Sequence, residues 1–354
     1  MSAEMSALSN DLLVVAILGY ALAMLAAAAE YAFGNRGAVA RVAVRERELV
    51  GAAELVGAAS GKRPTAAVGG SVSSSAAADG AVDDGADDDG ARPAAAGPDA
   101  ARIALWAGWT GAALTFVGWL AHVACLVTRG LAAGRVPWGN MYEFVLAATL
   151  VGATAWLVVM VRRPSIRPLG LFVTLTLVIL LGVDGMRLYT NAGPLVPALN
   201  SYWLKIHVTA AITASGILLV GFVAAALTLV RSGYDAGRTR FPYTLGDRLP
   251  AADGLERLTF RLHAFAFPIW TFAIICGAIW AEAAWGRYWG WDPKETWAFI
   301  AWVIYAGYLH ARATPSVKRT IATWIAVLGW AAMMVNLFGV NLVISGMHSY
   351  AGVK

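Results

Sequence analysis

Six of the fifteen tryptophans in this chain fall between residues 280 and 302: Trp280, Trp285, Trp289, Trp291, Trp297 and Trp302. The stretch reads WAEAAWGRYWGWDPKETWAFIAW, with Gly286 and Gly290 placed where tight turns can form. Asp292-Pro293-Lys294-Glu295 follows. Asp suits a helix N-cap, Pro the first helical position, and Glu at N3 can return a bond to the cap. A helix is therefore expected to open at Pro293, with the aromatic residues in the loop before it. Indole faces offer large contact area at small entropic cost, so the loop can serve as a platform for a large, flat, apolar ligand. An interfacial aromatic belt is the competing explanation. It accounts for two or three tryptophans at a membrane boundary, but not for six clustered on one side.

The five histidines are the other residues able to do chemistry. His207, in LNSYWLKIHV, and His348, in GVNLVISGMHSY, both fall on the side of the tryptophan loop once the apolar segments are laid out. Two imidazoles flanking an aromatic platform suit axial ligation of a haem iron. Contact with lipid headgroups or backbone is the alternative for each. His310 lies 17 residues beyond Pro293, about 25 Å along an ideal helix at ~1.5 Å per residue, towards the opposite side. His263 opens the sixth apolar segment on that opposite side, where a headgroup contact suffices. His122 fits an interhelical hydrogen bond as well as a ligand. The two cysteines, Cys125 and Cys276, form no C-x-x-C pair, which gives no support to a dithiol or thiolate-metal centre.

The elements that must carry these residues are apolar. Of 354 residues 59% are hydrophobic and 14% charged, and the mean hydropathy is +0.62. A soluble chain carries about 25% charge, so this one has too few charges to coat a large soluble surface. The excess lies in eight apolar runs at approximately 11–33, 103–128, 141–161, 169–183, 203–230, 263–281, 293–311 and 320–345. The expected fold is all-α: a polytopic integral membrane protein of about eight transmembrane helices. With the N-terminus outside, 20 of the 27 Lys and Arg residues fall in inner loops. That bias places both termini on the outer face. The net charge of +5 is then a matter of topology, and no nucleic-acid partner is expected. Residues 1–33 read as a retained N-terminal anchor and 34–102 as a cytoplasmic, low-complexity, disordered loop around DGAVDDGADDDG. Residues 231–261 read as an inner hairpin with a short surface helix.

The run Trp285-Gly286-Arg287-Tyr288-Trp289-Gly290-Trp291-Asp292-Pro293-Lys294-Glu295-Thr296-Trp297 resembles the WGxxWxWDPKExW (WWD) motif of the CcsA family (also called CcsB or ResC). This is the haem-handling membrane subunit of System II cytochrome c biogenesis. PALNSYWLKIHV around His207, NLVISGMHSY around His348, YLHAR around His310 and GRVPWGNMYEF (Gly134 to Phe144) are similar to further stretches of that family. The resemblance covers about 103–354, with the tryptophan-rich external loop at 282–297, and does not extend to 34–102.

The resemblance implies that the chain binds haem b and holds or translocates it to the outer face of the plasma (inner) membrane. There it presents the haem for thioether attachment to a CxxCH apocytochrome c. His207 and His348 would be the axial ligands of the haem iron. Trp285, Trp289, Trp291, Asp292 and Trp297 would cradle the ring, although helix capping alone explains Asp292. His310 would serve a second haem site, completed by a ResB-like membrane subunit or by His263. Arg287 or Lys294 either pairs with a haem propionate or faces water. No catalytic residue is assigned, because the nucleophiles are the client's thiols and the cofactor carries the electronics. The chain would be the haem-presenting subunit of a synthase (haem lyase-type) complex. The alternatives are a haem exporter or chaperone without ligation activity, and a di-haem b-type electron carrier.

Overall fold

The computed structural model describes residues 2–33, 98–195, 199–344 and 346–347. Most of the expected loop 34–102 lies outside the described residues, and so does His348. Among the described residues the secondary structure is helical throughout. In chain order the helices are α1 (Ser2–Phe33), α2 (Pro98–Ala133), α3 (Met141–Arg162), α4 (Gly170–Val183), α5 (Tyr202–Asp235), α6 (Ala252–Trp285), α7 (Pro293–Ala313), α8 (Arg319–Met334) and the one-turn α9 (Val340–Val343).

The chain is a polytopic helical membrane protein. Seven of its helical stretches are long and apolar enough to cross a bilayer. The 169–183 run, short on its own, is lengthened by a 3₁₀ turn at Pro164–Leu169 and a π-helical turn at Asp184–Leu188. Together they make a span of 25 residues, Pro164–Leu188. α8 is lengthened in the same way by a π turn at Val335–Gly339 leading into α9. The seventh expected run, 293–311, forms α7, 21 residues long. It falls outside the seven because Lys294, Glu295, His310 and Arg312 crowd its two ends. The surface helix expected within 231–261 takes another form: α6 begins at Ala252, and only a 3₁₀ turn at Tyr243–Arg248 precedes it.

Consecutive helices pack side by side, chiefly α1 on α2 and α5 on α6, with α5 also against α3 and α8. α5 is the central helix: most of its apolar window is buried against protein. The bundle's two ends are tied by ion pairs, buried at one end and partly buried at the other. At one end Arg167 binds Glu30, with Nε 2.8 Å from Oε1, and Arg312 binds Glu256.

The other end, where α6 stops and α7 starts, is the aromatic end. Here Glu143 on α3 is fully buried and collects five hydrogen bonds. Arg129 Nε donates at 3.2 Å, Arg135 Nη1 and Nη2 at 2.7 and 3.2 Å, and the Gly139 amide at 2.7 Å. Its own amide donates to Asn140 at 2.8 Å, capping α3. The same arginines reach the carbonyls of Thr190 and Gly193. One carboxylate thus fixes the turn carrying Trp138 and the chain leaving α4. Removing one partner of a buried ionic group leaves the others uncompensated, at a cost of about 3–5 kcal/mol. Glu143→Gln is expected to destabilise the fold by that amount, read as a lower thermal unfolding midpoint in detergent. An unchanged midpoint would show that the cluster contributes nothing net.

Candidate functional site

The aromatic end contains a cavity. It is walled by the beginnings of α3, α5 and α7 and the ends of α6 and α8, as an up-and-down bundle requires. Its lining is mostly apolar and aromatic, with Trp138, Trp270, Trp280, Trp285, Trp289 and Trp330 contributing indoles. The centre of a water molecule has about 210 Å³ of free space inside. One water needs ~10–15 Å³ of such space, so the room is that of roughly fifteen to twenty waters, on the order of 500 Å³ of liquid. That volume falls within the ~300–1,000 Å³ of small-molecule and cofactor sites.

Among the described residues, His207 is the histidine that lines this cavity. It sits on the second turn of α5, and its Nδ1 is 2.8 Å from the Ala273 carbonyl oxygen on α6. A carbonyl can only accept, so Nδ1 carries the proton and Nε2 keeps its lone pair. A backbone carbonyl on one ring nitrogen, with the other left as donor, is the usual arrangement of a metal-binding imidazole. The ring lies parallel to Trp280, with centroids 6.2 Å apart and planes 9° apart. Trp280 in turn meets Trp285 edge-on at 4.8 Å. Gly277 makes room for the imidazole, since a Cβ there would lie 2.8 Å from the ring's Cε1 and Nδ1.

The loop between α6 and α7 is built as expected at its ends. Gly286, at φ 71°, closes α6 in the left-handed region that favours glycine. Asp292 caps α7 in a capping box with Glu295. Glu295 Oε2 accepts from the amides of Asp292 at 3.1 Å and Gly290 at 2.8 Å. Asp292 is buried and does more than cap: its Oδ1 accepts from the Met347 amide at 2.8 Å. Arg287 Nη2 lies 2.7 Å from Met347 Sδ. The residue preceding His348 is thereby pinned to the loop.

The sequence-expected residues separate in space. Trp285 and Trp289 line the cavity with His207. Trp291 does not: it is 67% exposed, has a positive φ of 55°, and packs edge-on against Trp289 and Phe299. Trp297 turns into the apolar core of the bundle. His310 is exposed on the last turn of α7, away from this cavity. His263 is buried with Nδ1 on the Thr259 carbonyl and its ring 4.9 Å from that of Tyr308. Tyr308 is two residues from His310, so the two histidines meet different faces of α7. His122 has both nitrogens engaged, by Leu146 O at 2.9 Å and Tyr20 OH at 3.3 Å. It is an interhelical tie with no atom left for a metal.

Fold and site together define a helical membrane protein with a histidine-bearing aromatic cavity at one end of the bundle. The family model described as Cytochrome C assembly protein matches residues 138–348, the stretch containing that cavity. Three relatives named Cytochrome c biogenesis protein CcsA are similar to the chain. That of Guillardia theta is 34% identical, over 64% of this chain and 80% of the relative. That of Cyanophora paradoxa is 32% identical, over 64% and 82%. That of Synechococcus elongatus is 33% identical, over 65% and 84%. The chain belongs to the CcsA family of System II cytochrome c biogenesis proteins.

Proposed function

We propose that the cavity binds haem b at the outer face of the plasma (inner) membrane and presents it for thioether attachment to CxxCH apocytochrome c. The observation that carries this reading is His207: an imidazole with Nδ1 anchored on the Ala273 carbonyl and Nε2 left to ligate, parallel to Trp280 in an indole-lined cavity. His348 supplies the second axial ligand. It follows Met347, whose amide is held on Asp292. Trp285 and Trp289 hold the macrocycle, and Asp292 sets the loop. On this reading α7 is an eighth traverse, its polar ends lying at the two interfaces, and both termini are outside.

The chain's residues position; they need supply no nucleophile. The client's S–H adds across a haem vinyl group, so a C–S bond forms and the proton ends on the neighbouring vinyl carbon. No oxidant is consumed. Holding the ring beside the client's cysteines makes the encounter effectively intramolecular. His310, exposed on α7, serves a second haem site whose other ligand comes from a ResB-like subunit. His263 is unsuited to that part because its ring is enclosed by Tyr305, Tyr308 and Gly221. A di-haem electron carrier needs histidine pairs at two depths, and the fully bonded His122 does not support one.

The test is reconstitution of the chain with its membrane partner, haem and a CxxCH apocytochrome under reducing conditions. Covalent haem on the client, scored by haem stain and pyridine haemochrome, is expected. Haem delivery without a thioether product would favour the exporter or chaperone reading. A purified protein with no Soret band after haem loading would remove both. Within this frame Gly277→Ala, which drives a methyl into the space of the His207 ring, is expected to weaken haem retention about tenfold or more, the scale of lost support to a metal ligand. Unaltered retention would show that the ring's seat is not critical.

A further inference from the structure

We propose that Lys294 and Asn336 form a carboxylate subsite in this cavity, fixing the edge at which an acidic tetrapyrrole enters; this rests on the haem reading above. Lys294 is the only Lys or Arg among the described residues lining the cavity. Its Nζ reaches the Asn336 backbone carbonyl at 3.4 Å. No carboxylate oxygen among the described residues lies within ion-pair distance of it. The two acids beside it in sequence bond to backbone amides, although Glu295 shares the cavity lining and the charge of Asp292 acts on the ammonium. Asp292 accepts from the amides of Lys294 and Met347, and Glu295 from those of Gly290 and Asp292. An ammonium group in an apolar chamber, held by one long bond to a carbonyl, is a receptor for an anion.

Asn336 is the independent observation. It is 7% exposed, lines the same cavity, and its Oδ1 has no hydrogen-bond partner. It sits in the π turn Val335–Gly339, which extends α8 at the cavity wall, and such turns are frequent at functional sites. A side-chain amide can present either its oxygen or its NH₂ to a ligand by a half-turn. With the amide turned so that its NH₂ faces the cavity, a carboxylate between it and the Lys294 ammonium would accept from both. Arg287, the other cation weighed from sequence, is turned to Met347 and does not line the cavity. The subsite places the ligand's two acidic side chains against the α7–α8 wall. The opposite, apolar edge of the ring then faces away from Lys294.

The experiment compares haem with haem dimethyl ester, in which both carboxylates are blocked. Each is titrated by its Soret band into the full-length chain with its partner. The wild type is expected to prefer the free acid by about tenfold or more, the scale of one charge-assisted hydrogen bond. Lys294→Met should bind the ester as the wild type does while losing that preference. Lys294→Arg should keep it, and Asn336→Ala should diminish it. Equal binding of acid and ester by the wild type, or full preference in Lys294→Met, would overturn the subsite and leave the haem reading intact. Binding of neither porphyrin would overturn the haem reading and the subsite with it. Should Lys294→Met fail to fold, Asn336→Ala carries the comparison alone, and an undiminished preference there counts against the proposal.

Discussion

His207→Ala is expected to strip haem from the aromatic cavity and to reduce cytochrome c maturation by tenfold or more. Losing even the groups that orient a metal ligand costs about 10–100-fold, and on the proposed assignment the ligand itself is lost. The fold should survive. His207 is only half-buried, and the one hydrogen bond lost is to the Ala273 carbonyl of α6. The deletion leaves a gap the size of the ring beside Trp280. Added imidazole should therefore occupy it and restore part of the Soret band and part of the maturation. The measurement is the spectrum of the purified variant with and without imidazole, alongside haem-stained client. Normal haem content without imidazole would mean that the iron is held elsewhere.

The second large effect is expected at Asp292, whose two oxygens do separable work. Asp292→Asn keeps a good N-cap residue but leaves one acceptor oxygen where two are used, by Lys294 N at 3.2 Å and Met347 N at 2.8 Å. Asp292→Ala loses both bonds, with about 1 kcal/mol of helix stability lost through the cap alone. If the carboxylate's chief role is to hold the chain just before His348, the alanine variant should lose the low-spin, two-histidine spectrum of bound haem. It should mature clients at least tenfold less well while remaining folded, and the asparagine variant should fall between. A low-spin spectrum unchanged in Asp292→Ala would reduce the residue to a helix cap.

Local signals carried much of this architecture. The Asp292-Pro293-Glu295 start was readable because a cap is decided by four consecutive residues, and His207 was placed because a histidine at the head of an apolar run has few depths available. Long apolar runs located the helices. The extra turns at Pro164–Leu169, Asp184–Leu188 and Val335–Gly339 were not readable, since they depend on how carbonyls are shared within packed helices. The tryptophan cluster was legible as a cluster but not residue by residue. Once α7 begins, its 100° step per residue carries Trp297 round into the core. The positive φ at Trp291 turns that indole outward. Half of the six cavity indoles, Trp138, Trp270 and Trp330, come from elsewhere along the chain. Only the fold brings them together. The GRVPWGNMYEF stretch flagged Trp138, whereas Trp270 and Trp330 had no signal beyond lying in apolar segments. Asn336 was missed because an amide in a span looks like any interhelical hydrogen bonder.

The bond between His207 Nδ1 and the Ala273 carbonyl has a consequence for acid solutions. One nitrogen is already protonated and occupied, so, with iron held at Nε2 as proposed, a proton arriving at low pH would compete with it at that atom alone. The imidazolium ring keeps its anchor and need not turn over. Haem driven off by brief acidification should rebind on neutralisation in its former orientation, giving a release cycle with no hysteresis.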